Sequence, residues 1–78
     1  MTKLETPILY YWAPCGTCAI ATKYAAEAGI ALDLRDVEQQ APYDELLALG
    51  GDANKIPYLY DGETLAEGLE AVMAYLQG

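Results

Sequence analysis

The stretch Pro7–Trp12, with the sequence PILYYW, limits the possible folds of this chain most strongly. It is apolar and aromatic throughout, without the alternation of a strand that has one face in water. It therefore predicts a short strand that is buried on both faces. Because the chain has 78 residues, of which 54% are apolar, we expect a single domain, residues 1–78, with one modest core.

A helix is predicted directly after this strand. Pro14 and Gly16 interrupt the apolar run, and the Ala-rich sequence from Cys15 to Ala28 is typical of a helix that ends at Gly29. Small residues recur at helical spacing and predict a face that packs closely on a sheet: Cys18, Ala21, Ala25 and Ala28.

The middle of the chain predicts an edge strand and a second helix. Residues 30–37 alternate, with Ile30, Leu32 and Leu34 expected inward and Asp33 and Arg35 outward. Pro42 suits the first position of a helix, which Gly50-Gly51 would end. Asp44 and Glu45 would then complement the positive end of that helix.

A hairpin and a last helix complete the predicted elements. Ile56–Tyr60 and Glu63–Leu65 flank Asp61-Gly62, a strong two-residue turn signal. A helix from about Glu67 to Gln77 would follow. Its apolar stripe is expected to be part of the core: Leu65, Leu69, Val72, Met73 and Leu76.

The predicted order is β-α-β-α-β-β-α. A helix joins the first two strands, so these strands should be parallel with a right-handed crossover. The hairpin would add two antiparallel strands. The fold class is therefore α/β, with a four-stranded mixed sheet and helices on both faces.

Charge excludes several classes of function. Twelve acidic residues and four basic residues give a net charge of −8, which argues against nucleic acid and anionic membranes as partners. The absence of histidine removes Ser-His and Cys-His dyads and imidazole metal ligands. No apolar run approaches the roughly 20 residues of a membrane span. Met1–Glu5 lacks a hydrophobic signal region, so we expect a cytoplasmic location.

The two cysteines, Cys15 and Cys18, are the strongest functional signal. A structural disulfide between them would close a very small loop and would be unusual in a reducing compartment. A zinc site needs four ligands and this pair supplies two, so we expect no metal in a single chain. A redox pair fits best. A metal or iron–sulfur site shared between two chains, a redox sensor or adaptor without turnover, and an incidental pair stay open as alternatives.

The predicted position of the pair gives its two members different roles. Cys15 would lie at the start of a helix, where free N–H groups and the helix dipole favour a thiolate, the nucleophile of disulfide exchange. Cys18 would lie one turn further on and face inward. It could therefore reach a mixed disulfide on Cys15 and release the product, which makes it the resolving cysteine.

The Cys15-Gly16-Thr17-Cys18 motif and Ile56-Pro57, together with the chain length and element order, resemble the glutaredoxins of the thioredoxin superfamily. The resemblance covers nearly the whole chain and implies a thioredoxin-like fold in its minimal, glutaredoxin-type form. It also implies a thiol–disulfide oxidoreductase that reduces protein disulfides. In that family the proline is cis and packs against the cysteines, and the residue before it pairs with the backbone of the substrate.

By this resemblance, the residues that contact the substrate are Trp12, Ala13, Pro14, Gly16, Thr17, Ile56 and Pro57. Gly16-Thr17 and the preceding Trp12-Ala13-Pro14 are closer to thioredoxin. Ala66–Glu70 stands where glutaredoxins have the turn that holds glutathione, and it lacks the paired glycines and the aspartate of that turn. These departures favour a thioredoxin-type reductase that uses NADPH over glutathione as the electron donor. We expect disulfide-containing client proteins, no bound cofactor and a monomer.

Overall fold

The computed structural model describes residues 3–78, so the part of the predicted domain and N-terminal segment that falls on Met1 and Thr2 lies outside the described residues. Residues 3–78 form four strands, three helices and one short 3-10 helix. Their bounds are β1 Ile8–Tyr11, α1 Gly16–Ala28, β2 Asp33–Asp36, α2 Gln40–Ala48, the 3-10 helix Ala53–Lys55, β3 Tyr58–Tyr60, β4 Leu65–Glu67 and α3 Gly68–Gln77.

The four strands form one mixed sheet in the order β2-β1-β3-β4. β1 and β2 are parallel, with Leu9 opposite Leu34 and Tyr11 opposite Asp36. β3 runs antiparallel to both β1 and β4. The predicted α/β class, element order and mixed four-stranded sheet are therefore confirmed.

Alternation along the central strands divides the core between the two faces of the sheet. On one face, α1 and α3 pack over aliphatic residues of the strands: Leu9, Ala21, Ala25, Leu59, Ala66, Val72 and Leu76. On the other face, α2 packs over a cluster with two buried tyrosines: Ile8, Tyr10, Val37, Leu46 and Tyr58. Helices therefore cover both faces, as the apolar β1 sequence predicts.

The face of small residues by which α1 packs on the sheet is shorter than the sequence predicts. Cys18, Ala21 and Ala25 are buried, but Ala28 in the last turn is exposed. Gly29 ends the helix in the left-handed region at φ 73°, and its N–H bonds back to α1. The prediction for Gly29 is confirmed and that for Ala28 is wrong, because contact with the sheet ends at Ala25.

The predicted inward and outward sides of β2 need correction. Leu34 lies opposite the buried Leu9 but is 50% exposed, because on this edge strand it lines an open pocket beside α1. Arg35 is only partly exposed. Its guanidinium bonds the Asp33 carboxylate at 2.9 Å and the Glu45 carboxylate on α2 at 2.6 Å.

α2 begins two residues earlier than predicted. Gln40 is its first residue and Pro42 its third, a position that tolerates proline because first-turn N–H groups have no acceptor within the helix. The first turn contains no acidic residue, so Asp44 and Glu45 do not complement the helix start as predicted. Asp44 instead accepts a hydrogen bond from Gln40 at 2.8 Å.

The hairpin turn is shifted by one residue. Asp61 and Thr64 pair across it, so Gly62 and Glu63 form its centre, and Gly62 has a φ of 98°. A positive φ at the first central residue is the geometry of a tight hairpin turn. Asp61 is 1% exposed and stabilises the turn, because its carboxylate accepts hydrogen bonds from the N–H groups of Glu63 and Thr64.

The last helix begins at Gly68, close to the prediction. Val72 and Leu76 are buried in the α1/α3 face, and Leu69 and Met73 pack against them. Leu65 does not belong to this stripe. It lies in β4, where side chains alternate between faces, and packs on the α2 side of the sheet.

Among residues 3–78, no helix combines the length and the apolar composition that crossing a bilayer requires.

Candidate functional site

Cys15 lies at the junction of β1 and α1, where it is the N-cap of the helix. Its backbone is extended, at φ −77° and ψ 120°, and its Sγ accepts the Cys18 N–H at 3.3 Å. The Thr17 Oγ1 lies 3.1 Å from the same sulfur. A capping side chain accepts one of the N–H groups that a helix start leaves unpaired. The sulfur therefore takes the place usually held by an oxygen acceptor.

These contacts stabilise the thiolate form of Cys15. Partial burial by itself would raise the pKa of this thiol. The hydrogen bonds from Cys18 and Thr17 outweigh that effect and hold the pKa of Cys15 below its ordinary value. The first turn of α1 contains no acidic residue that would oppose the negative charge.

Cys18 has the opposite character. Its side chain is 1% exposed, whereas Cys15 is half-buried. Burial is the main cause that raises the pKa of Cys18 to about 12, and the adjacent Cys15 and the charge of Asp36 act in the same direction. The two sulfurs are free thiols with different exposure and different acidity.

The residues on both sides of Cys15 in the sequence are exposed to solvent. Trp12, Ala13, Pro14, Gly16 and Thr17 are all exposed. The Cys15 N–H bonds to the Trp12 carbonyl at 2.9 Å, which holds the segment before the helix in a turn. A Cβ atom added at Gly16 would meet no atom within 4 Å, so space remains there.

The Ile56–Pro57 peptide bond is cis, as the resemblance implies. Pro57 is fully buried, and its carbonyl accepts the Gly68 N–H at the start of α3. Within residues 3–78, neither the N–H nor the carbonyl of Ile56 forms a backbone hydrogen bond. The backbone of Ile56 is therefore unpaired at both groups.

An open groove of about 260 Å³ brings Trp12 and Ile56 together from distant parts of the sequence. Its walls are formed by Trp12, Val37, Glu38, Tyr43, Ala53, Asn54 and Ile56. The groove thus begins at the segment that carries Cys15 and ends at the residue before the cis-proline. The sequence predicts its two ends and misses its middle.

Glu38 is the missed residue with the clearest chemical role. Its Oε2 accepts the Trp12 indole N–H at 3.2 Å, and its own N–H bonds the Asp36 carboxylate at 2.9 Å. A signal for this position was present in the sequence. Parallel strands end at the same edge of a sheet, so the residues after β2 must lie beside those after β1.

Tyr58 fixes the segment on the far side of the groove. Its buried phenol donates to the Glu67 carboxylate at 2.6 Å and accepts the Asp52 N–H at 2.9 Å. Asp52 in turn caps the 3-10 helix Ala53–Lys55 by accepting the Asn54 N–H. One side chain after the proline therefore ties β4 to the groove wall.

No three or more Cys, Asp or Glu side chains within the described part of the chain are grouped as a metal site would require.

No protein-family model, no curated protein and no solved structure matches this chain.

Proposed function

We propose that this protein is a thiol–disulfide oxidoreductase that reduces disulfides in client proteins by cycling Cys15 and Cys18 between dithiol and disulfide. The observation that carries the proposal is the difference between the two thiols. Cys15 is accessible and has a lowered pKa, whereas Cys18 is buried and has a pKa of about 12. A nucleophile and a resolving thiol need this difference.

The fold we propose is thioredoxin-like, in the minimal form of glutaredoxins. The supporting features are the β2-β1-β3-β4 sheet, the cysteine pair at the start of α1 and the cis-proline directly before β3. The mixed four-stranded sheet and the helix-start position of the cysteines are predicted from the sequence, and the cis-proline is implied by the resemblance. A reducing dithiol of this type suits the cytoplasm, where thiol buffers keep cysteines reduced.

In the first step, the Cys15 thiolate attacks one sulfur of a client disulfide. A bond forms between Cys15 Sγ and that sulfur, the client S–S bond breaks, and the second client sulfur leaves as a thiolate that takes a proton from water. The Cys18 N–H and the Thr17 hydroxyl, which contact the Cys15 sulfur at 3.3 and 3.1 Å, stabilise the attacking form.

In the second step, Cys18 gives up its proton to water and attacks the Cys15 sulfur. The mixed disulfide breaks, the client leaves as a second thiolate, and Cys15 and Cys18 are joined by a disulfide. Two electrons have passed to the client. The high pKa of Cys18, which is caused mainly by burial, protects the reduced protein from reaction at this sulfur. The smaller contribution from the charge on Cys15 disappears when the mixed disulfide forms.

The oxidised pair must then be reduced by an external donor. We propose a thioredoxin-type reductase with NADPH in preference to glutathione, whose two carboxylates would meet a chain of net charge −8. Oxidised protein incubated with NADPH and either donor system distinguishes the two. Consumption of NADPH with the reductase alone is the expected result, and consumption only with glutathione and its reductase would reverse this choice.

Alkylation of the two single-cysteine variants tests the central proposal. In Cys18→Ser, the remaining Cys15 should react with iodoacetamide with an inflection below the pH of an ordinary thiol, about 8.5. In Cys15→Ser, Cys18 should react slowly up to high pH because it is buried. Equal rates and equal pH profiles in the two variants would contradict the proposed division of roles.

Trapping separates a catalyst from the two alternatives. Cys18→Ser should accumulate mixed disulfides with client proteins, because the second step is blocked, and Cys15→Ser should accumulate none. A redox switch without turnover would trap no client in either variant. A metal or iron–sulfur carrier would instead be a dimer with bound zinc or a coloured cluster after anaerobic purification.

A further inference from the structure

We propose that the groove between Trp12 and Ile56 selects client segments in which an apolar side chain is adjacent to a lysine or arginine. The groove residues that carry this inference are the apolar walls, the unpaired backbone of Ile56 and the carboxylate of Glu38. The inference deepens the proposed function and rests on it, because the bound segment is the one that presents the disulfide to Cys15.

The size and walls of the groove define the apolar part of the ligand. Five of the seven wall residues are apolar or aromatic: Trp12, Val37, Tyr43, Ala53 and Ile56. An apolar cavity of about 150 Å³ holds a benzene ring. At about 260 Å³, the groove has room for a side chain as large as leucine, methionine or phenylalanine.

Ile56 defines how the main chain of a client would lie. Its free N–H and carbonyl can pair with an extended segment as an added strand does. Successive side chains of an extended segment point in opposite directions. One side chain would therefore enter the groove, while its neighbour lies at the rim.

Glu38 favours a positive charge on the client side chain that lies at the rim. It is the single charged residue among the described residues that line the groove, and it is exposed. Trp12 fixes one of its oxygens by a hydrogen bond at 3.2 Å, which leaves the other free for a cation. Asp36 adds a second negative charge next to Glu38, through the Glu38 N–H.

None of the four basic residues lines the groove. Arg35 is paired with Asp33 and Glu45, and Lys3 lies 3.9 Å from Asp61. Lys23 belongs to α1, and Lys55 lies in the chain between the wall residues Asn54 and Ile56 without lining the groove itself. With a net charge of −8, the whole molecule also attracts cationic segments over longer distances.

Binding of peptides without cysteine tests this inference separately from redox chemistry. Three extended peptides would contain Leu-Lys, Leu-Gln or Leu-Glu at the centre, with serine in place of cysteine. Trp12 is the only tryptophan, so its fluorescence reports occupation of the groove, and calorimetry provides a second readout. The test variant is Glu38→Gln. The control, with the same change in net charge, is Glu27→Gln in the last turn of α1, at the end of this helix opposite to Cys15.

We expect the wild type to bind the Leu-Lys peptide roughly two- to fivefold more tightly than the Leu-Gln peptide, as one exposed ion pair allows. The Leu-Glu peptide should bind most weakly, and the differences should shrink at high salt. Glu38→Gln should lose the preference for lysine, and Glu27→Gln should retain it. Replacing leucine by serine should weaken binding of all three peptides.

Equal affinity for the three peptides, no binding of any of them, or equal loss of preference in both variants would overturn the inference. Disulfide-containing versions of the peptides then separate it from the proposed function. If the wild type reduces all of them at the same rate, the function stands and the inference fails. If it binds them with the expected order and reduces none, the groove is selective and the oxidoreductase proposal fails.

Discussion

The two faces of the sheet are packed with different types of side chain. The face under α1 and α3 is aliphatic and small, and alanines of α1 allow close approach of this helix to Leu9 and Leu59. The face under α2 contains tyrosines whose hydroxyls bond to carboxylates: Tyr10 bonds to Glu45 at 3.1 Å, and Tyr58 bonds to Glu67 at 2.6 Å. Burial accordingly raises the pKa of Tyr10 to about 12.

This difference corresponds to what each face supports. The aliphatic face holds α1, and with it the cysteine pair, by packing alone. The tyrosine face holds the groove wall, because Tyr58 fixes Asp52 and Val37 joins the same cluster. Close packing makes a large contribution to stability and leaves few voids. A hydrogen bond fixes the position of a loop but contributes less net free energy. Changes to the first face should therefore affect stability most, and changes to the second should affect the site.

The largest effect is expected on the aliphatic face, from Leu9→Ala. Leu9 is 0% exposed in the central strand, so the cavity should lower the free energy of unfolding by about 2–5 kcal/mol. That is a large part of the total of a domain of this length, about 4–12 kcal/mol. Urea unfolding measures the change. Leu34→Ala, at a position that is 50% exposed, is the matched control and should cost much less. Equal losses would remove the distinction between core and edge.

Asp61→Asn should have the next largest effect, and it should depend on pH. The N–H groups of Thr64 and Glu63 lower the pKa of Asp61 despite its burial, and Tyr75 and Lys3 act in the same direction. Because the folded pKa is lowered, Asp61 stabilises the protein fully above about pH 5, and this stability is lost as the pH falls through 4 and below.

We therefore expect Asp61→Asn to lower the free energy of unfolding by about 1.5–3 kcal/mol at pH 7, the range for hydrogen bonds to a charged group. The gap to the wild type should narrow as the pH falls to about 3. Asp44→Asn, at an exposed carboxylate on α2, serves as the control. Urea midpoints at both pH values measure the effect, and a gap that widens in acid would contradict it.

The smallest effect on stability, with the clearest effect on the site, is expected for Tyr58→Phe. The lost hydroxyl forms two bonds, but Glu67 and Asp52 are exposed and can bind water instead, so the cost should be about 0.5–1.5 kcal/mol. Since the Asp52 N–H then loses its acceptor, the groove wall should be less fixed and KM for a client should rise while kcat changes little. Tyr60→Phe is the matched control, because its hydroxyl bonds to Gly62 at the hairpin turn. The same rise in KM in both variants would show that Tyr58 has no special role.

Local patterns predicted most of the elements because their signals act within a few residues. The apolar β1 run, the break at Pro14 and Gly16, and the stop at Gly29 lie in one continuous stretch, so strand, turn and helix could be derived in order. The same stretch predicted Cys15 at a helix start and Cys18 inside. Errors of one or two residues at α2 and the hairpin arise because a helix start and a turn centre depend on which side chains find partners.

Contacts between distant segments could not be derived in this way. Arg35 alternates with apolar residues and so was predicted to face water, but α2 places Glu45 over it. Asp61-Gly62 is a sequence typical of an exposed turn, but Tyr75 of α3 covers Asp61 and donates a hydrogen bond to its carboxylate at 3.0 Å.

The order of strands and helices and the position of the cysteine pair at the start of α1 follow from the sequence, because backbone preferences and short-range periodicity are local. The positions of the charges and the residues that face the cysteine pair depend on the tertiary structure. Glu38 meets Trp12, and Trp12 meets Ile56 across a groove, because the sheet aligns the ends of strands whose residues are far apart in the chain. Electrostatic and packing contacts depend on distance in space, which local sequence does not contain.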